Sequence, residues 1–475
     1  MATRLVANGT IVTMDADRAI IEDGALVIRD SRIAAVGPTA ELAGLHPNAE
    51  VIDATGMLVV PGLIDGHNHP LHFLSKGLFD DIALAKRWAT RLYPFETSIS
   101  EAQTYVGSLA SFAEMLLSGT TCVVDPGSMY PEATIRAAEE IGMRLVTCFP
   151  ASDVSSAERP LPEHVRGTAE ELTARSEALF RDWNGHADDR IRISFGLRNA
   201  AVSDALCLGI KRLSDRHGAM IHTHLAVTDA ERAMIEAAFG ESGIDRFARL
   251  GLLDGALYAA HMGALSQREL ETVIAAGTVA AHCPSASMLG AFGCIAHGRF
   301  PELVAAGAPV TLGTDGASIS RFLDMVRIMY LAACAHKDAR QDAEVMGWRP
   351  AFEMATAGAA AALGWDDAIG SLEAGKRADL VLVRTDGLEW CPRPGLNPVA
   401  NLVYASGGHR VDTVFVNGRR LVAGGRLTAI DTQALKDKAI RAAHDAQQSS
   451  GIPADPVWPV RNTATLREGI REAID

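Results

Sequence analysis

The chain lacks the features that would direct it to a membrane, to nucleic acid or out of the cell. No uninterrupted run of about 18 apolar residues occurs, so no transmembrane helix is expected. Basic residues are the minority: 44 Lys and Arg stand against 58 Asp and Glu, and the formal net charge of −14 argues against a nucleic-acid binder, which would carry a basic patch or stripe. No positively charged N-terminal stretch leads into an apolar segment and a cleavage site, so no signal peptide is read. The seven cysteines, at positions 122, 148, 207, 283, 294, 334 and 391, form no Cys-x-x-Cys pair. An odd, unpatterned set of this kind reads as reduced thiols, most of them buried as small apolar side chains. Internal repeats and low-complexity tracts are missing too. These absences leave a cytoplasmic protein that works on a small molecule, without nucleic-acid or membrane partners.

What is present is a long chain with ample apolar material: 475 residues, 48% hydrophobic, enough for one large domain and a smaller one. Residues 1–57 show short apolar runs with turn signals, among them Asn8-Gly9 between Arg4–Ala7 and Thr10–Thr13, which predicts a hairpin. Over 58–370 the pattern changes. Apolar strand-like runs at 58–65, 120–125, 143–149, 191–197, 219–224, 256–261, 278–282 and 309–315 alternate with amphipathic helices, one of them opened by a capping box at Ser98-x-x-Glu101. Eight such units predict an α/β fold, a closed (β/α)8 TIM barrel. From 371 to 475 strands return, at 378–383 and at 411–416, and Asn417-Gly418 turns the latter into 419–422. They are expected to join the N-terminal strands in a small β-sandwich built from both chain ends. A helical stretch from about 432 and a Pro- and charge-rich tail at 452–456 follow, the tail wrapping the surface or reaching a partner subunit.

The chemistry is carried by Pro61-Gly62-Leu63-Ile64-Asp65-Gly66-His67-Asn68-His69-Pro70. Residues two apart on a strand share a face, so His67 and His69 aim at one point. The other strands end in histidines or a carboxylate as well: His222-Thr223-His224 on the fifth, His261 on the sixth, His282 on the seventh and Asp315 on the eighth. Barrel active sites form at the C-terminal ends of the strands. Imidazoles and a carboxylate converging there suit a divalent metal with a position open for water.

With these motifs in view the chain resembles the amidohydrolase superfamily, in its aminohydrolase and triazine-hydrolase branch. The resemblance spans nearly the whole chain and rests on the His67-Asn68-His69 segment, His222-Thr223-His224-Leu225, His282-Cys283-Pro284, Leu312-Gly313-Thr314-Asp315-Gly316-Ala317 and Gly370–Leu380. It implies one divalent metal, zinc, iron or manganese, held by His67, His69, His224 and Asp315. It makes Asp315 and His261 the catalytic pair. It also sets His261 against the substrate and a pocket-lining tryptophan near Trp88; Arg198, which stands where relatives carry a substrate-binding histidine, and His282, which closes the seventh strand, are the further candidates for touching substrate. The fourth strand has no lysine for a second metal. A homo-oligomer, dimer or larger, is implied as well.

Three departures from the family pattern shape the expected reaction. Related deaminases carry a proton-shuttling glutamate where this chain has Val227. Arg198-Asn199-Ala200 replaces a histidine motif, and Ser285-Ala286-Ser287 replaces x-Ser-Asn. Either Asp315 and His261 then do all the proton work, or Asp229 or Glu231 moves in from the next helix, where Asp229 also suits the helix start. Arg198 offers a positive fork for a carboxylate or carbonyl. The expected function is hydrolysis of a carbon–nitrogen bond in a small, cyclic substrate, with an amide-, urea- or carbamate-like bond placed first. Deamination of an amino-heterocycle of purine, pterin or triazine type, and hydrolytic dehalogenation, are the alternatives. A non-catalytic scaffold is the rival of another class. His72 is expected on a loop surface, and His222 one layer below His224 in a structural role.

Overall fold

The structure is a computed structural model that describes residues 3–155, 160–392 and 397–453. At its centre eight parallel strands form a ring. In order they are Leu63–Asp65, Thr120–Val124, Arg144–Thr147, a fourth divided into Ile191–Ile193 and Phe195–Leu197, Ile221–Leu225, Leu257–His261, Val279–His282 and Val310–Leu312. Each pairs in parallel with its neighbour. The fourth strand is divided at Ser194, whose N–H turns to the Thr147 carbonyl at 2.8 Å; its first half pairs with the third strand and its second half with the fifth. Closure between the eighth and first strands is made by the Gly66 N–H on the Leu312 carbonyl and the Asp315 N–H on the His67 carbonyl, both at 2.7 Å. This is the predicted barrel.

Alternation along the strands separates two cores. Ile64, Cys122, Val124, Val146, Tyr258, Ala260, Val279 and Ala281 gather with helix Ala357–Ala362 and the fully buried Trp365. Leu63, Val123, Leu145, Ala259 and Ala280 belong instead to the larger cluster shared with the outer helices. A period of two produces both faces. The helix predicted to start at Ser98 begins two residues later: it spans Glu101–Leu117, and the reciprocal cap is Ser100 with Gln103.

Both chain ends contribute to one nine-stranded sheet. Its hydrogen-bonded path runs from the hairpin Val411–Val416/Arg419–Ala423 through Leu380–Arg384 and Met57–Pro61 to Thr3–Val12, Ile20–Arg29 and Arg32–Pro38. The hydrogen bonds therefore join the terminal strands into a single sheet rather than two separate ones. Asn417 and Gly418, both at positive φ, make the expected hairpin turn. Asn8-Gly9 does not: Thr3–Val12 is one strand, and the pair forms a register shift within it, with Asn8 at φ 66°. A side chain at Gly9 would stand 2.9 Å from Val59, so the strand runs through where close packing requires glycine.

The run read as one strand over 58–65 is two. Met57–Pro61 belongs to the terminal sheet and Leu63–Asp65 to the barrel, and the chain crosses between them at Gly62. A buried ion pair fastens the two regions: Arg144, at the start of the third barrel strand, donates to both Asp379 oxygens at 2.5 and 3.0 Å, and Asp379 also accepts the Asn417 N–H at 2.7 Å. Helix Thr432–Ser450 matches the helical reading of the tail; residues 454–475 lie outside the described residues. Among the described residues no helix is long and apolar enough to cross a membrane.

Candidate active site

The C-terminal ends of the first, fifth, sixth and eighth strands bring His67, His69, His224, His261 and Asp315 to one point. Ligand atoms of His67, His69 and Asp315 lie within 4.8 Å of one another, as do those of His67, His224 and His261. His69 Nε2 and His224 Nε2 are 3.2 Å apart. Asp315 carboxylate oxygens stand 3.6 Å from His69 Nε2, 3.8 Å from His67 Nε2 and 3.7 Å from His261 Nε2. Two nitrogens bound at about 2.0–2.1 Å to one tetrahedral zinc would stand about 3.3 Å apart, so the observed spacing suits such an ion.

Neighbouring groups set the imidazole tautomers. His224 Nδ1 donates to the Arg198 carbonyl at 2.9 Å, which leaves its Nε2 lone pair facing the cluster. His67 Nδ1 meets His222 Nε2 at 3.2 Å, and its own Nε2 is buried with no hydrogen-bond partner. A buried orphan nitrogen aimed among three imidazoles and a carboxylate fits a metal ligand. Burial, reinforced by the neighbouring rings, pushes the pKa of His67 and His69 well below the ordinary histidine value, and burial chiefly brings His224 to about 4. These rings are neutral at pH 7, the state in which histidine binds metal. Burial pushes the Asp315 carboxyl up to about 6, against the Gly316 amide that it accepts at 2.7 Å.

The backbone is strained here. Asp315 has φ 60° and His261 φ 77°, left-handed conformations that side chains with a Cβ seldom adopt. Gly313 permits the arrangement of the first and eighth strands: a Cβ there would stand 2.7 Å from the His67 backbone nitrogen. Asp65 reinforces it, accepting from the N–H and hydroxyl of Thr314 and from the His67 N–H.

Above the cluster opens a cavity that His69, His224, His261 and Asp315 floor. Apolar walls come from Phe79, Trp88, Leu92, Met234, Phe292 and Ile319, so Trp88 does reach the pocket. Polar groups reach it from outside the strands: Arg87 and Glu96 on the excursion after the first strand, and Glu231 on helix Asp229–Phe239. Trp88–Leu92 is a π-helical turn, a form that recurs at functional sites.

Two expectations are corrected, those for His72 and His282, and Arg198 is found with a partner. Arg198 lines the cavity, but its guanidinium is paired with the buried Glu96, which also lies 3.6 Å from His72 Nε2. Burial alone would raise the Glu96 pKa; Arg198 and His72 outweigh it and hold the carboxyl at about 2. His72 is not on a surface loop: it is 3% exposed and lines the cavity. His282 does not line the cavity. Its ring stacks on Phe300 with centroids 3.9 Å apart, and its Nε2 meets His336 Nε2 at 3.0 Å. His222 is fully buried beneath His67, as expected for a supporting role.

Glu96 and Arg87 were invisible to sequence reasoning, because nothing in residues 84–98 marks them except the pocket they meet in space. Glu231 was foreseen as one of two candidates. Its carboxylate accepts the Val227 N–H at 2.6 Å, at the backbone position whose own side chain is apolar. Asp229 stays in the first turn of its helix and is not among the cavity residues. Cys283 stands near His261 and Asp315, but burial pushes its thiol well above the ordinary range, so it stays protonated.

Comparison with known proteins gives a consistent picture. Residues 58–421 match the model described as the amidohydrolase family, and residues 24–49 match an imidazolonepropionase-like composite domain of bacteria. A 5-methylthioadenosine/S-adenosylhomocysteine deaminase of Desulforudis audaxviator is 36% identical over 424 residues, covering 88% of this chain and 94% of that protein. The structure of an adenosine deaminase from Xanthomonas campestris with bound zinc superposes with a TM-score of 0.87 at 28% identity, covering 94% of this chain and 99% of the other. An atrazine chlorohydrolase from Arthrobacter aurescens, complexed with zinc, shares the fold with a TM-score of 0.85 at 22% identity, over 93% of this chain and 100% of its own.

Proposed function

Because the chain belongs to the amidohydrolase family and is an enzyme of carbon–nitrogen bonds other than peptide bonds, we propose that it is a zinc-dependent deaminase of an amino-substituted purine, of the adenine nucleoside class. Deamination thus displaces the amide-, urea- or carbamate-like reading. That reading rested on a free Arg198 and on Val227. The observation that carries the change is the Arg198–Glu96 pair: the cation reserved for a substrate carboxylate or carbonyl is already neutralised. Glu231 answers the second ground by bringing a carboxylate into the cavity beside Val227. Support also comes from the deaminase relatives that match most of the chain. Seven free cysteines suit a cytoplasmic location.

His67, His69, His224 and Asp315 would hold the zinc, which when bound supplies a nucleophile from water at neutral pH. Asp315 takes a proton from the attacking water as its oxygen adds to the ring carbon bearing the amino group. His261 is neutral because burial and the adjacent imidazoles hold its pKa low, so it serves the developing charge as a hydrogen-bond donor. Glu231 carries the second proton of that water from the added oxygen to the ring nitrogen. The amino nitrogen leaves with its bonding electron pair and the proton held by Asp315, as ammonia, and the ring keeps the oxygen as a carbonyl. Trp88 and Phe292 flank the ring and exclude water.

The test is ammonia release from adenosine, 5-methylthioadenosine, S-adenosylhomocysteine and a panel of cyclic amides. Ammonia with an oxopurine product is expected; ring opening of a cyclic amide without ammonia would restore the displaced reading.

A further inference from the structure

Four arginines are buried among the described residues: Arg87, Arg144, Arg190 and Arg246. Three have partners. Arg144 holds Asp379, Arg190 donates to the Met143 carbonyl at 2.9 Å, and Arg246 donates to the Ala200 and Val202 carbonyls and to Asp204. Arg87 differs. It is 4% exposed, its Nε and Nη1 are buried without a hydrogen-bond partner, and no carboxylate of the described residues lies within 4.0 Å of it. It lines the same cavity as His69, Asp315 and Trp88. Arginine cannot shed its proton in a protein, so a buried guanidinium with idle donors is destabilising until an acceptor arrives.

We propose that Arg87 is the binding group for an anionic substituent of the substrate, a carboxylate or a phosphate carried outside the reacting ring. The proposal deepens the deaminase reading and names the charge of the substrate. Division of labour between the two cavity arginines supports it. Arg198 is neutralised by Glu96 and spends its carbonyl on His224, whereas Arg87 keeps a planar fork open to the cavity. That fork matches a carboxylate or phosphate in geometry and charge. Asp80, Asp81 and Glu96 are the acidic groups on the same excursion; Glu96 is held by Arg198, and Asp80 and Asp81 favour the Arg87 cation electrostatically, as does Asp315, with none of them within 4.0 Å of it. Asp315 is the proposed metal ligand, so its charge is committed elsewhere.

The experiment compares wild type with Arg87→Gln and Arg87→Met on three adenine nucleosides: 5-methylthioadenosine, which is neutral, S-adenosylhomocysteine, which carries a carboxylate, and adenosine 5-monophosphate. Wild type should favour one of the two anions, which separates carboxylate from phosphate. In Arg87→Gln that preference, read as the ratio of kcat/KM for the anionic substrate to kcat/KM for 5-methylthioadenosine, should fall about 10- to 100-fold. A readout independent of deamination is thermal protection: acetate or inorganic phosphate should raise the melting temperature of wild type and not of Arg87→Gln. In the absence of anion, Arg87→Met should melt higher than wild type, because an unpaired buried charge has been removed. If no substrate releases ammonia while anion protection still depends on Arg87, the deaminase reading fails and the anion site stands. If ammonia is released and Arg87→Gln keeps both the anion preference and the anion protection, the inference is overturned. A lower melting temperature for Arg87→Met would overturn it too, by showing Arg87 paired within the protein, with Asp80 the nearest candidate.

Discussion

Replacing Glu96 with glutamine tests whether the second cavity arginine is neutralised from within. Glu96 is 7% exposed and sits at about 2 in place of an ordinary 4.5, because Arg198 and His72 overcome the effect of burial. The difference, about 2.5 pKa units at 1.36 kcal/mol each, corresponds to about 3 kcal/mol of stability at pH 7. Breaking a buried ion pair by removing one partner costs about 3–5 kcal/mol, so two routes agree on the size. The sign follows from the depressed folded pKa: the contribution is complete above the unfolded value of 4.5 and is lost as pH falls from there toward 2. Urea denaturation of metal-free wild type and Glu96→Gln should therefore show a gap of about 3 kcal/mol at pH 7 that narrows below about pH 5 and closes toward pH 2. The double variant Glu96→Met/Arg198→Met should recover most of the loss, since an apolar pair leaves no stranded charge. A Glu96→Gln protein as stable as wild type at pH 7, or a gap that ignores pH, would refute the assignment and return Arg198 to the substrate.

Four further outcomes follow. Glu231→Gln keeps an acceptor for the Val227 N–H but cannot carry a proton, so kcat should fall about 100- to 10,000-fold with metal content unchanged, and adding Val227→Glu should restore part of it. His222→Phe removes the partner of His67 Nδ1, and titration with a competing chelator should show zinc held about 10- to 100-fold more weakly. Gly313→Ala puts a methyl 2.7 Å from the His67 backbone nitrogen; a loss of about 1–3 kcal/mol on denaturation and substoichiometric zinc by elemental analysis are expected, and a fully loaded, equally stable variant would contradict the close approach. Removing metal with 1,10-phenanthroline should abolish turnover and lower the melting temperature, and zinc at about 100 times its dissociation constant should restore about 2.7 kcal/mol.

The barrel was legible because its eight strands are short apolar runs that alternate with helical stretches, and five of them lead to candidate histidine or aspartate side chains. Strand ends marked His67, His69, His222, His224, His261, His282 and Asp315 as candidates, and the family resemblance chose among them. The failures have a common physical cause. Arg198, His282 and His72 were judged by residue type and position along the chain, whereas their roles depend on what packs against them. Glu96 lies about 100 residues before Arg198, Phe300 and His336 close over His282, and the excursion from 70 to 98 folds back over the cavity. Such tertiary partners leave no periodicity to detect. Asn8-Gly9 failed for a local reason: its hairpin signal is also the signal of a bulge, and packing against Val59 decided between them.

The crossing at Gly62 has a consequence for biosynthesis. Met57–Pro61 leads within a few residues to His67 and His69, and it is flanked in the sheet by Thr3–Val12 on one side and by Leu380–Arg384 on the other. Most of the polypeptide, including every proposed zinc ligand, leaves the ribosome before the second flank exists. A nascent chain that already holds His67, His69, His224 and Asp315 therefore still lacks Leu380–Arg384, the strand that pairs with Met57–Pro61.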